Sequence, residues 1–216
     1  MYVLIAAATK MEVQPTLNYL EKLNFLINDK KIEMLTTGVG GISTAYFLTS
    51  QIEDRRPDLI IQAGLAGSFH DSIPLGAVVS VATDVTGDMG AQEGDDFKDM
   101  FDLGLQEEST MPFSARKLVN VNLSSRWPHL PAVNAVSVNE ITTSPERIEL
   151  LKKKYGAEIE SMEGAAFHYV CLQMRIEFLQ LRAISNMVGE RDKSKWEISA
   201  AISSLNSELI KCLNLL

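Results

Sequence analysis

The chain has 216 residues, 46% of them apolar and 22% charged, with a formal net charge of −8. That length can bury the core of one α/β domain, and the acidity excludes binding to a nucleic-acid backbone or an anionic bilayer by charge alone. Cys171 and Cys212 are the only cysteines; both lie in helical-looking apolar segments, which argues against a disulfide framework and fits a reducing cytoplasm.

The N-terminus lacks the basic lead and long apolar run of a signal peptide. No later stretch approaches the roughly 18 uninterrupted apolar residues of a membrane span. A soluble, intracellular protein is expected. Tyr2 to Ala8 is a continuous apolar run of strand length, the pattern of a strand covered on both faces. Thr9 and Glu12 then match a capping box, which would make Glu12 structural. Pro15 argues otherwise: proline fits best in a first helical turn, so the helix is expected to begin near Val13 or Gln14 and leave Glu12 in the loop.

Ile32 to Thr37 reads as a second strand, running through Gly38-Val-Gly40-Gly41 into an amphipathic helix with Ile42, Ala45, Tyr46, Leu48 and Ile52 at its apolar positions. Glycines there let backbone amides approach a ligand, with a tight turn that binds nothing as the alternative. The dinucleotide fingerprint fails, since Ser43 stands where its third glycine belongs. Asp58 to Ala63 is the third strand, ending in the small-residue loop Gly64-Leu65-Ala66-Gly67, and Ala77 to Thr83 the fourth, followed by Asp84. From Gly87 to about Pro131 the chain reads as an excursion with short helical pieces, the kind that lines or covers a pocket.

Ala132 to Val138 is the fifth strand, and Pro145 opens a helix through Lys154. The short strand Glu158 to Glu160 precedes a helix in which Glu163 heads the stripe Ala166, Phe167, Val170, Cys171 and Met174. An ionised carboxylate buried there without partners costs several kcal/mol, so Glu163 needs a helix terminus, a donor or a ligand. Glu177 to Ser185 is a strand ending at Asn186, and a closing helix carries Ile198, Ala201, Ile202, Leu205, Leu209, Cys212 and Leu213 at helical spacing.

Strand and helix alternate without repeat or linker, the order of a single α/β domain over 1–216. In such sheets ligands sit outside the carboxyl ends of the strands, where Glu12, Gly38 to Gly41, Gly64 to Gly67, Asn139 to Thr142, Met162, Glu163 and Asn186 all fall. No metal is expected: His70, His129 and His168 are scattered, with no HxxxH or CxxC spacing. A GxSxG elbow and a Walker loop are also missing. Carboxylates and amides remain, suited to proton transfer and to stabilising a cationic transition state.

Five motifs in one order carry a resemblance: Met11-Glu12 after the first strand, Gly38-Val-Gly-Gly, Gly64-Leu-Ala-Gly, Glu160-Ser-Met162-Glu163-Gly-Ala-Ala, and Arg182-Ala-Ile-Ser185-Asn186. Together they resemble the purine nucleoside phosphorylase and nucleosidase superfamily over almost the whole chain. Within it the chain is most similar to the futalosine hydrolases, through Gly87-Asp-Met-Gly-Ala-Gln-Glu93, Val138-Asn-Glu-Ile-Thr-Thr143 and Ser185 to Asp192. The resemblance implies an α/β fold with a central mixed β-sheet flanked by helices, a homodimer, and cleavage of the N-glycosidic bond of a small-molecule nucleoside, without metal or cofactor, on the futalosine route to menaquinone.

Residue by residue, the resemblance makes Glu12 the acid that positions and deprotonates the attacking water, and Met162 and Glu163 the ribose-binding pair. Ile141 and Thr142 fall where relatives hold the base by backbone groups; Gly40 and the Leu65, Ala66 and Gly67 loop complete the expected substrate contacts. Asn186 departs from the adenine-specific nucleosidases, which carry aspartate there. Its amide can donate to O6 of a 6-oxopurine and accept from N7–H. An amide supplies no proton, so solvent or Asp192 has to. Phosphorolysis is disfavoured because the Gly38 and Gly64 loops carry no arginine and Arg55 and Arg56 read as exposed. Another purine nucleosidase, a phosphorylase, or a silent nucleoside-binding protein are the alternatives.

Overall fold

A computed structural model describes residues 1–94, 96–121 and 126–216. In chain order the elements are β1 (Tyr2–Ala7), α1 (Lys10–Lys22), β2 (Leu26–Ile27), β3 (Lys30–Thr36), α2 (Gly41–Asp54), β4 (Leu59–Ser68) and β5 (Val78–Thr86). Next come β6 (Gly90–Glu93), β7 (Asp96–Asp99), β8 (Phe113–Ser114), β9 (Lys117–Val119), β10 (Ala132–Ser137), α3 (Pro145–Tyr155) and β11 (Ile159–Ser161). The chain closes with α4 (Gly164–Gln173), β12 (Glu177–Met187), a 3₁₀ turn (Lys193–Lys195) and α5 (Ile198–Asn214).

The main sheet runs β2-β3-β1-β4-β11-β10-β5-β9-β8, with β12 pairing both β4 and β5. Strands β4, β11, β10, β5 and β12 thus close into a ring, mixing parallel pairs such as β4–β12 with antiparallel ones such as β4–β11. Side-chain alternation explains the apolar run that opens the chain. Val3, Ile5 and Ala7 join Val13 and Leu20 of α1 and Leu205 and Leu209 of α5 in one cluster. Leu4 and Ala6 join Leu48 and Ile52 of α2 and Phe167 and Val170 of α4 in another. The result is a mixed central sheet with helices on both faces.

Several local expectations differ. Helix α1 begins at Lys10, not Val13, because Glu12 Oε2 accepts both the Thr9 N–H and the Thr9 hydroxyl at 2.9 Å. Those two bonds fix the helix start, and Pro15 sits inside the helix. Strand β4 runs on through Gly64 to Ser68, since β12 pairs with it along that length; the small residues are strand, not loop. The described part of the excursion after Gly87 holds two hairpins, β6–β7 and β8–β9, where only short helical pieces were expected, and Arg126 within it is helical. On α2, Leu48 and Ile52 are buried, whereas Ile42 is 87% and Tyr46 67% exposed.

Asp84 lies within β5, not after it, and is fully buried. Its Oδ1 accepts the Ser137 hydroxyl at 3.0 Å, and Ser137 Oγ in turn accepts the Ala165 N–H at 2.8 Å, satisfying a first-turn amide of α4. Burial raises the Asp84 carboxyl from 3.8 to about 7. The folded state therefore holds a proton that the unfolded chain has already released, so this group's stabilising contribution is complete below pH 3.8 and lost as pH rises through about 7. Replacing Asp84 by Asn is expected to flatten that dependence, the variant's Tm gaining on the parent between about pH 4 and 8. Gln180, whose Oε1 has no partner and whose Nε2 lies 3.4 Å from Asp84, can turn to meet the new amide. Melting curves in a pH series read this; a parallel pair of Tm profiles would refute it.

Candidate active site

Local sequence places each group. Gly40, with φ of +88°, turns the chain from β3 into α2 and donates its N–H to Glu163 Oε1 at 3.1 Å. Glu163 is the residue before α4, buried, so it occupies the helix start rather than the first turn of the apolar stripe. Its Oε2 accepts from Arg182 Nη1 at 3.3 Å. Arg182 stands in the middle of β12, only 1% exposed, and also donates to the Leu65 carbonyl at 3.2 Å and to Gln62 Oε1 at 3.1 Å. The buried carboxylate is thus held by a backbone amide and a guanidinium.

Glu12 divides its carboxylate. Oε2 caps α1, while Oε1 accepts the Leu65 N–H at 3.2 Å. A side chain at Gly64 would stand 2.5 Å from Arg182 Nη1 and 3.2 Å from Glu12 Oε1, so this position has room only for glycine. Both acids meet around the same strand.

Asn186 follows a β-bulge: the β4–β12 register shifts between Ile184 and Asn186, re-aiming the chain after Ser185. Its Oδ1 accepts the Ser185 hydroxyl at 2.8 Å, and its Nδ2 donates to the Met187 carbonyl at 3.0 Å. One amide hydrogen and one lone pair remain for a ligand.

These groups line one cleft of about 410 Å³. Glu12, Leu65, Ala66, Gly67, Ile141, Met162, Glu163 and Asn186, all singled out in the sequence, are on its wall. Gly40 reaches it through Glu163. Thr142 does not line it; its N–H is taken by Glu160 Oε1 at 3.1 Å. Asp192 is also off the wall: it caps the 3₁₀ turn, accepting from Ser194 N–H and Oγ, and those bonds hold its carboxyl below the usual range. An exposed, readily ionised carboxylate is a poor proton donor.

Several wall residues were not singled out in the sequence, Glu160, Glu190, Arg191 and Trp196 among them. Arg182, behind the wall, was quoted only within a motif; a lone arginine in the run Phe178 to Ile184 was the signal that Glu163 had a partner. Arg55 and Arg56 are in the exposed connection expected, bonded to Glu33 and to the Met174 carbonyl. A second cavity of about 580 Å³, lined by Ile42, Ala45, Met89, Met100, Phe113 and Tyr169 among others, adjoins the cleft at Met162, common to both walls. Among the described residues one trio has metal-ligating spacing, His129, Glu208 and Cys212. It lies outside the cleft, and burial pushes the Cys212 thiol up to about 12.

Residues 14–215 match the model of the phosphorylase superfamily. A futalosine hydrolase of Thermus thermophilus is 30% identical over 184 residues, covering 79% of this chain and 76% of the relative. One from Streptomyces coelicolor is 30% identical over 185 residues, with 83% and 77% covered. The solved structure of futalosine hydrolase from Helicobacter pylori superposes with a TM-score of 0.76 at 18% identity, covering 99% of this chain and 97% of that one.

Proposed function

The chain belongs to the phosphorylase superfamily, and we propose that this N-glycosyl hydrolase acts on futalosine, releasing hypoxanthine and dehypoxanthine futalosine on the route to menaquinone. The observation that carries this is the meeting of Glu12, Glu163 and Asn186 on one cleft. Water held at Glu12 Oε1 attacks the anomeric carbon as the bond to the base breaks; the carboxylate takes the water proton. The free lone pairs of Glu163 accept ribose hydroxyls, and its charge stabilises the oxocarbenium-like sugar. The bonding pair leaves with the base, which collects its proton from solvent.

At the base, Asn186 donates to O6 and accepts from N7–H, a pairing that adenine, with its amino group, mismatches. The 5′ substituent extends past Met162 into the second cavity, where Met89, Met100 and Gln106 come from the segment 87–112. Water is favoured over phosphate as nucleophile because the Gly38 and Gly64 segments carry no arginine, and Arg182, behind the wall, is 1% exposed and committed to Glu163.

The test is hydrolysis of futalosine, inosine and methylthioadenosine by the purified chain, with and without phosphate. Futalosine is expected to be cleaved fastest and independently of phosphate. Preference for methylthioadenosine, or strict phosphate dependence, would overturn the reading.

A homodimer is part of the proposal. Val39, Ile42, Tyr46, Phe47 and Met89 are each 47% exposed or more, a cluster of apolar side chains beside the second cavity that a second copy can cover. Sedimentation at micromolar concentration tests it; a monomer would refute it. No described helix is long and apolar enough to cross a membrane. The two free buried thiols support a cytoplasmic location.

A further inference from the structure

Strand β11 is antiparallel to β4 with Glu160 opposite Gly67, and β4 is parallel to β12 with Gly67 opposite Asn186. The three residues stand in a row across adjacent strands, with side chains on one face. Strand spacing puts the outer two backbones about 10 Å apart, and the middle position has no side chain. A side chain there would be tight: a Cβ on Gly67 would come within 3.2 Å of Asn186 Nδ2 and 3.0 Å of Val188 Cγ2. A flat floor therefore separates a carboxylate from an amide.

The carboxylate is half satisfied. Glu160 is 6% exposed and lines the cleft; Oε1 accepts the Thr142 N–H, but Oε2 is buried and has no partner among the described residues. Burial raises its pKa, opposed by the hydrogen bonding of Thr142 and, more weakly, by Arg147, with Asp88 adding to the rise. A desolvated acceptor without a donor is costly to maintain. A ligand that brings an N–H to this point removes the cost.

We propose that Glu160 is a base-recognition residue whose free oxygen accepts the N1–H of a 6-oxopurine, selecting it over adenine. The inference rests on the futalosine reading for the class of base. A 6-oxopurine presents N1–H, O6 and N7 in sequence along one edge, the order in which Glu160, Gly67 and Asn186 meet it. Adenine presents a lone pair at N1, which the carboxylate repels, and an amino group at position 6.

Glu160→Gln separates recognition from mere support of the 141–142 loop. The Thr142 N–H still requires the amide oxygen, which turns the amide nitrogen toward the base. Calorimetry on the full chain is expected to show hypoxanthine binding weakened by about 10- to 100-fold and adenine binding unchanged or tightened. On the unsubstituted protein, 1-deazahypoxanthine, with C–H in place of N1–H, is expected to lose a comparable factor, a readout that needs no variant to fold. Equal weakening of both bases by Glu160→Gln, or full affinity for 1-deazahypoxanthine, would overturn the inference while futalosine cleavage stands. A protein that neither binds hypoxanthine nor cleaves futalosine would instead remove the functional reading, and this inference with it.

Discussion

Glu12→Gln is expected to cut kcat by about 10²- to 10⁴-fold, the range lost with a general base, while KM changes little. The substitution keeps the shape and one carbonyl oxygen, which can still accept the Thr9 N–H that starts α1. The other position becomes an amide donor facing the Leu65 N–H, where Glu12 Oε1 now accepts at 3.2 Å. That mismatch, with partial loss of the cap, is expected to cost about 1 kcal/mol of stability, far too little to explain the rate. Single-turnover hydrolysis at saturating futalosine separates the two effects, and a melt at the same pH reads the second. A variant within a few-fold of full rate, with lowered Tm, would reduce Glu12 to its capping role.

That dual role shows where sequence reading stopped. In the sequence, capping box and catalytic acid read as rivals, yet one carboxylate has two oxygens, and the fold uses Oε2 for the helix and leaves Oε1 to the Leu65 N–H at the cleft. Pro15 misled because proline's preference for the first turn is only a bias, outweighed here by two hydrogen bonds to Thr9. Elements with a strong hydrophobic period were legible: the two-faced strand Tyr2–Ala7, helix Pro145–Tyr155 behind its Ser144 cap, and the closing helix Ile198–Asn214. What depends on partners distant in sequence was not. Gly64 to Gly67 looks like a loop until Arg182 and Asn186 on β12 are laid across it. Ile42 and Tyr46 have the period of a buried face and are exposed, because helical spacing does not say whether a face meets this chain or another.

Glu163 and Arg182 form the pair on which stability and chemistry are most tightly joined. Both are buried, 3.3 Å apart, and Arg182 also ties the Leu65 carbonyl to Gln62. Glu163→Ala leaves a desolvated guanidinium uncompensated, and Arg182→Met leaves the carboxylate with only Gly40; each is expected to cost about 3–5 kcal/mol. The double substitution removes both charges and is expected to recover part of that loss, with a coupling energy of about 1–3 kcal/mol in denaturant titrations. Activity is expected to follow the opposite logic. In the proposed mechanism the Glu163 carboxylate accepts the ribose hydroxyls and offsets positive charge on the sugar, so Glu163→Ala and the double variant should both fall by at least about 10²-fold in kcat. Arg182→Met keeps the carboxylate but loses its orientation, and is expected to retain more rate than either. Additive stabilities would show that the two groups do not interact as an ion pair, and a double variant that turns over futalosine at near the parent rate would remove Glu163 from the chemistry.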